Sequence, residues 1–192
     1  MARDDRTLLE AWRGGDRDAG GELFDRHYPA VSRFFRGKVE GAATELTQRT
    51  FLACLESRDA FRGDASFRTY LFTIARHELY RHLRARRRGP AVLDFAAVSL
   101  AELAPTPSQL IARGEEQRLL LAALRRISLE AQLVLELFYW EQQTSKQIAA
   151  ILGVPHGTAR SRLRAARHAL EAQLGTLSRS PERLASTLDN LE

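Results

Sequence analysis

Thr144-Ser-Lys-Gln-Ile-Ala-Ala-Ile-Leu-Gly-Val-Pro155 runs directly into His156-Gly-Thr-Ala-Arg-Ser-Arg-Leu-Arg-Ala-Ala-Arg167. Thr144 with Gln147 three residues later has the pattern of a capping box and predicts the start of a short helix. Ile148, Ala149 and Leu152 supply its inward face, and Gly153 offers the positive φ that ends such a helix. Val154 is expected to plug the turn, and Pro155 to precede a second helix of about four turns. Along that helix Ala159, Leu163, Ala166 and Leu170 recur at spacings of four, three and four, a narrow apolar seam whose alanines permit close approach. The remaining faces carry Thr158, Arg160, Ser161, Arg162, Arg164 and Arg167. Two short helices joined by a glycine turn, the second one basic, predict a helix-turn-helix.

The chemistry of that motif assigns roles by position. The first turns of the second helix meet base edges in the major groove, so Arg160, Ser161 and Arg162 are the candidate readers. Lys146, Arg164 and Arg167 fit phosphate contacts, which position a protein without specifying sequence. The competing reading is an ordinary helical hairpin with an arginine-rich surface. Cap, turn glycine, seam and basic face all agree on the helix-turn-helix instead.

Working outward, the rest of the 192 residues is also patterned as helix, with little period-two alternation. Residues 5–12 and 18–38 show helical apolar spacing, broken at Gly14-Gly15-Asp16, and Pro29 is expected to kink or restart the second of them. A helix from Ala43 to about Ser57 would place Leu46, Thr50, Phe51, Cys54 and Leu55 on one stripe. Phe61-Arg-Gly-Asp64 has the composition of a turn. Ser66 is a candidate cap for a long helix from Phe67 to about Arg87, with Phe67, Tyr70, Leu71, Ile74, Leu79 and Leu83 inward and Gly89-Pro90 ending it. Phe72 and Tyr80, interleaved with Arg76, His77, Arg81 and Arg84, are left as aromatics free to stack on unpaired bases. Residues 91–112, with Pro105-Thr-Pro-Ser108, predict a linker holding a short helical turn near Phe95–Leu103. A leucine-rich helix over Glu115–Ile127 follows, then one opened by Ser128, with Leu133, Val134, Leu137 and Phe138 apolar. The tail 176–192 contains Ser180-Pro-Glu182, a helix start. The expected fold is therefore all-α: a helical domain over 1–90, a flexible linker over 91–112, and a second domain over 113–175 containing the helix-turn-helix.

Composition narrows the function. The net charge is +5, and only two of the 29 basic residues, Lys38 and Lys146, are lysine. Arginines cluster at Arg76–Arg88 and again at Arg160–Arg167, two candidate contact zones on a polyanion. No apolar run is long enough to span a membrane, and the N-terminus lacks an export signal, so a cytoplasmic protein without membrane insertion is expected. The lone Cys54 cannot form an internal disulfide or a multi-cysteine zinc site and has the setting of a small buried hydrophobe. The five histidines, His27, His77, His82, His156 and His168, are scattered, and His77 and His82 lie five apart rather than at ligand spacing. They are expected to be solvated on basic helices. Asp64, Glu45 and Glu78 form no metal set, so neither an enzyme nor a cofactor is expected.

Two segments carry a family resemblance. Glu45-Leu-Thr-Gln-Arg-Thr-Phe-Leu52, followed by Phe61-Arg-Gly-Asp-Ala-Ser-Phe-Arg-Thr-Tyr-Leu-Phe-Thr-Ile-Ala-Arg76, resembles domain 2 of bacterial extracytoplasmic-function (ECF) sigma factors of the sigma-70 family. Leu133–Phe138 with Thr144–Leu170 resembles their domain 4. The resemblance covers about residues 5–175 and leaves no room for a domain 3. It implies a factor that binds core RNA polymerase at the clamp helices and flap and directs initiation at promoter DNA. Domain 2 would melt and read the −10 element, and domain 4 would read the −35 element. Carried over position by position, Glu45, Leu46, Gln48 and Phe51 match the polymerase contact. Gly63, Asp64 and Ala65 match the loop beside the flipped base, and Arg76 and His77 match the −10 helix, to which Tyr80 and Arg84 are added as candidates; Thr158, Arg160, Ser161 and Arg162 match the −35 reader. Arg49 stands where the family usually has an acid, His77 where asparagine is common, and Arg81 where an acid is frequent. The resemblance further implies an anti-sigma partner. The alternative is a dimeric helix-turn-helix regulator that does not engage polymerase, although no dimer seam stands out.

Overall fold

A computed structural model of the chain describes residues 3–39, 41–58, 61, 63, 65–86, 94–103 and 115–177. Among the described residues there are nine helices and no strand; Ser99 and Ser128 form an isolated antiparallel bridge. The helices belong to two compact units. None of those helices is long and apolar enough to cross a membrane.

The first unit packs α1 (Asp5–Arg13), α2 (Arg17–Arg36), α3 (Ala43–Glu56) and α4 (Phe67–Arg86) around one core. Two aspartates start its first helices: Asp4 accepts the Thr7 N–H at 2.7 Å and Asp16 the Ala19 N–H at 3.0 Å, each satisfying a donor that the first turn leaves orphaned. The expected break at Gly14-Gly15 is present, with Gly15 at φ +101°. α2 does not break at Pro29 but runs through it. Pro29 and the residue whose carbonyl it deprives, Asp25, are both exposed, so water can take the orphaned acceptor and the cost stays small. Ser66 caps α4 as expected, its Oγ accepting the Thr69 N–H at 3.1 Å.

Inside this unit Leu8, Leu23, Val31, Phe35, Leu46, Leu71, Phe72 and Leu79 are essentially sealed from solvent. α1 and α2 approach closely because residue 20 is glycine: a Cβ there would lie 2.5 Å from the Trp12 ring. Two expectations for α4 are corrected. Phe72 is 1% exposed and Tyr80 7% exposed, so neither is a free stacking surface. Tyr70 and Ile74, expected inward, are only half-buried. The buried positions of α4, including Thr69, Ala75 and Glu78, wrap more than half of the helix, because both α2 and α3 pack on it.

In the second unit α6 (Glu115–Arg126), α7 (Leu129–Tyr139) and α9 (His156–Leu177) share a core of Ala123, Leu124, Ile127, Leu135, Ala166, Leu170 and Leu174. Ser128 caps α7, accepting the Ala131 N–H at 3.2 Å. Part of the stretch expected as linker is structured. Residues 95–97 turn, α5 spans Leu100–Leu103, and Phe95 and Leu100 are buried. The carbonyls of Val98 and Phe95 accept the N–H groups of Leu129 and Glu130, each at 2.9 Å. With the serine cap they satisfy three successive orphan donors of α7. Three other expectations lie outside the described residues: the Gly89-Pro90 stop, the Pro105–Ser108 stretch and Ser180-Pro-Glu182.

Candidate nucleic-acid interface

α8 (Ser145–Leu152) and α9 form the helix-turn-helix read from the sequence. The capping box is complete: the Gln147 N–H donates to Thr144 Oγ1 at 3.3 Å, and the Thr144 N–H donates to Gln147 Oε1 at 2.8 Å. Gly153 has φ +68°, and its N–H and that of Val154 close the helix end on the Ala150 and Ala149 carbonyls. Only a residue without a Cβ takes that conformation freely. Ile148, Ala149 and Leu152 are buried. So are Ala159, Ala166 and Leu170, while Leu163 of the seam is half-buried. α9 is 22 residues long rather than about four turns; Leu174 extends the apolar seam past Leu170 into the core.

The basic face of α9 divides in two. Arg160, Ser161 and Arg164 are exposed, as is Lys146 at the start of α8, while Thr158 is half-buried. Ser161 donates its hydroxyl to the Thr158 carbonyl at 2.9 Å. Arg162 and Arg167 have partners inside the unit that their spacing did not foresee. The Arg162 guanidinium is ion-paired with the Glu130 carboxylate of α7. The Arg167 guanidinium lies 5.4 Å from the Phe138 ring centroid and 5.3 Å from that of Tyr139, a cation–π arrangement that ties it to α7.

In the first unit, α4 presents its own basic face. His77, Arg81 and Arg84 are exposed at spacings of four and three, one side of a helix. Two guanidiniums lie over the Tyr80 ring: Arg76 is 4.8 Å and Arg84 5.9 Å from its centroid. Tyr80 therefore organises these arginines rather than offering its ring to a base. Gly63 is exposed at φ +83° and Ala65 is half-buried; Asp64 lies outside the described residues. Sequence reasoning missed Arg13 of α1. Its guanidinium donates to the Phe61 carbonyl and, at 3.0 Å, to the Arg58 carbonyl, and it covers the Phe61 ring. It thereby anchors both described ends of the 58–61 stretch leading to Gly63.

α3 divides the four residues of the expected polymerase contact between its surface and the core. Glu45 and Gln48 are exposed, but Leu46 is 0% and Phe51 8% exposed, so those two side chains belong to the core. Leu55, expected inward, is 44% exposed and Leu52 55%. Glu45, Gln48, Leu52 and Leu55 recur at spacings of three, four and three, and so share one outer face. Exposed Tyr28 stacks on Phe51 with 6.0 Å between centroids. Glu45 pairs with Arg49 at 2.6 Å.

Among the described residues no cluster of three His, Cys, Asp or Glu could hold a metal. His27 corrects the expectation of solvated histidines: it is 5% exposed and paired with Asp5 at 2.7 Å. Burial pushes its imidazole below the ordinary value, with Asp5 opposing. Cys54 is fully buried, and burial pushes its thiol up to about 12.

Comparison with known proteins settles the family. Residues 23–89 match Sigma-70 region 2 and residues 117–170 match Sigma-70, region 4. The chain is an ECF sigma factor of the sigma-70 family. It is 27% identical over 185 residues to the ECF RNA polymerase sigma-E factors of Salmonella typhimurium and of Escherichia coli, an alignment covering 91% of this chain and 96% of each relative. The Haemophilus influenzae sigma-E factor is 25% identical over 182 residues, covering 90% of this chain and 96% of that one. Among solved structures, CnrH, determined in complex with the cytosolic domain of CnrY, is 27% identical with a TM-score of 0.67, covering 91% of this chain and 99% of that one. Sigma factor RpoE of Bartonella quintana, in complex with the anti-sigma factor NepR, has the same fold, with a TM-score of 0.62 at 23% identity, covering 81% of this chain and 96% of that one. In this sigma factor the region 2 match holds α3 and α4 with most of α2, and the region 4 match holds most of the α6–α9 stretch.

Proposed function

We propose that this sigma factor binds core RNA polymerase and directs it to promoters through two separate grips. One observation carries the reading: a single chain holds both a helix-turn-helix with Arg160, Ser161 and Arg164 exposed and a second basic helix face at His77, Arg81 and Arg84. The −35 duplex is read by Arg160 and Ser161, with Lys146 and Arg164 on phosphates and Thr158 beside them. The −10 strand meets His77 and Arg84 of α4 and the Gly63–Ala65 loop, with Arg76 and Tyr80 behind. Melting costs a few kcal/mol for each extruded base, and positive charge offered to the opened strand offsets part of it. The outer face of α3, with Glu45 and Gln48 joined by Leu52 and Leu55, contacts the polymerase; Leu46 and Phe51 support it from inside.

Residues 1–90 then act as sigma domain 2, 113–175 as domain 4, and 91–112 as the connection. The polymerase makes and breaks the bonds, so the chain itself needs no catalytic group or cofactor. An anti-sigma factor covers the polymerase-binding face, as the RpoE–NepR complex suggests by analogy, and the protein works in the cytoplasm where its template lies. The test is transcription by purified core polymerase with this chain on genomic DNA. Discrete start sites sharing −35 and −10 sequences are expected. Starts that require a second, added sigma factor would mark a regulator instead.

A further inference from the structure

We propose that Glu130 is a positioning residue that withholds Arg162 from DNA, so that region 4 discriminates with Arg160 and Ser161 while Arg162 acts as an internal brace. The inference rests on the −35 reading above. Arg162 sits two residues from Arg160 on α9 and, by spacing alone, is an equally good reader. Its guanidinium is instead bound to the Glu130 carboxylate. The Glu130 side chain is 15% exposed and that of Arg162 38%, so the pair is shielded more than a solvent-swept surface pair is.

Glu130 is itself held in two ways. It lies in the first turn of α7, where the helix dipole favours a carboxylate. Its own N–H is fixed on the Phe95 carbonyl at 2.9 Å, and the preceding N–H on that of Val98. Ala96, Ser128, Glu130, Arg162 and Ala165 line one small hollow on this side of the unit. The connecting segment thus fixes the backbone that carries the carboxylate, and the carboxylate fixes Arg162. A carboxylate this close to a DNA-facing helix repels phosphate unless its charge is matched. Arg162 matches it, and spends its own charge doing so.

The consequence is measurable as salt dependence, because each phosphate-neutralising cation adds about 0.9 to the slope of log affinity against log salt. The experiment uses the full chain with core polymerase. The probes are a duplex selected by the wild-type holoenzyme from a random library and an unrelated duplex of equal length. Glu130→Gln frees Arg162: affinity for the unrelated duplex rises, the slope steepens by about 0.9, and the preference for the selected duplex falls several-fold. The double variant Glu130→Gln with Arg162→Gln, which removes both charges together, keeps the wild-type slope, and Arg162→Lys, which retains a cation for Glu130, leaves both slope and preference near wild type. A slope shallower by about 0.9 in the double variant, or an unchanged slope in Glu130→Gln, overturns the proposal. If the wild-type protein selects no duplex while Arg160→Ala leaves its DNA affinity unchanged, the −35 reading itself has failed, irrespective of the pair.

Discussion

Arg160 and His27 are single residues whose surroundings decide what their loss would do. Arg160 is exposed near the start of α9, so Arg160→Ala should not affect folding. It should weaken binding to the preferred −35 duplex by about 1–3 kcal/mol if the lost contact is bidentate to a base. Competition binding against single-base variants of that duplex measures it: relaxed preference at one position marks a base contact, and uniform weakening marks a phosphate contact. His27 is held neutral, its imidazole below the ordinary value of 6.5 through burial, then through Arg68 and Arg26, against the opposing Asp5. Unfolding restores the ordinary value, so the unfolded chain binds the extra proton. Stability from a neutral His27 is therefore present above pH 6.5 and drains away as the pH falls below it. His77 and His82, each lowered first by burial, act in the same direction. Urea midpoints for the first unit should drop between about pH 7 and about pH 5.5, and His27→Gln should flatten that drop.

Helices were legible in the sequence to the extent that each had one partner face. The capping box at Thr144, the turn at Gly153 and the seam through Ala159 and Ala166 are local signals, and all three are present as read. α3 and α4 were harder. A stripe drawn through Leu46, Phe51 and Leu55 assumes one buried side, and spacing cannot say that Leu55 and Leu52 remain outside. A single stripe leaves Phe72 and Tyr80 spare on α4, whereas α1, α2 and α3 all pack on it. Neither Glu130 nor Arg13 carries any local signal: their partners lie 32 and 48 residues away along the chain. Gly20 belongs to the same class. Its role comes from Trp12 on the neighbouring helix, where a Cβ would sit 2.5 Å from the ring. Gly20→Ala favours helix by propensity yet should destabilise the unit by about 1–3 kcal/mol, the cost of overpacking. Thermal melts of that variant beside Gly21→Ala, where a Cβ meets open space, separate the two effects: only the first should lower the melting temperature.

At the scale of the whole chain, two helical units are found, and the second takes in residues from the stretch that composition marks as a connection. Pro, Gly and small residues mark 91–112 as a connection, and that reading cannot see that Phe95 and Leu100 are buried or that Val98 and Phe95 cap α7. A fragment beginning at residue 94 should therefore be more stable than one beginning at 113. Burying a phenylalanine or leucine is worth about 1.5–3 kcal/mol, so the shorter fragment should melt at least about 5 °C lower in calorimetry. Equal melting temperatures would mean that the segment contributes only connection.

Cys54 has a practical consequence. It is the sole thiol in the chain, and the fold seals it among apolar neighbours in its protonated form. The native surface is thus chemically silent toward maleimides. A cysteine introduced at Arg81 on α4 or at Gly175 near the end of α9 would be the single reactive site. A single fluorophore placed there reports in real time how that unit responds as polymerase, promoter or an inhibitor engages, without any rebuilding of the background.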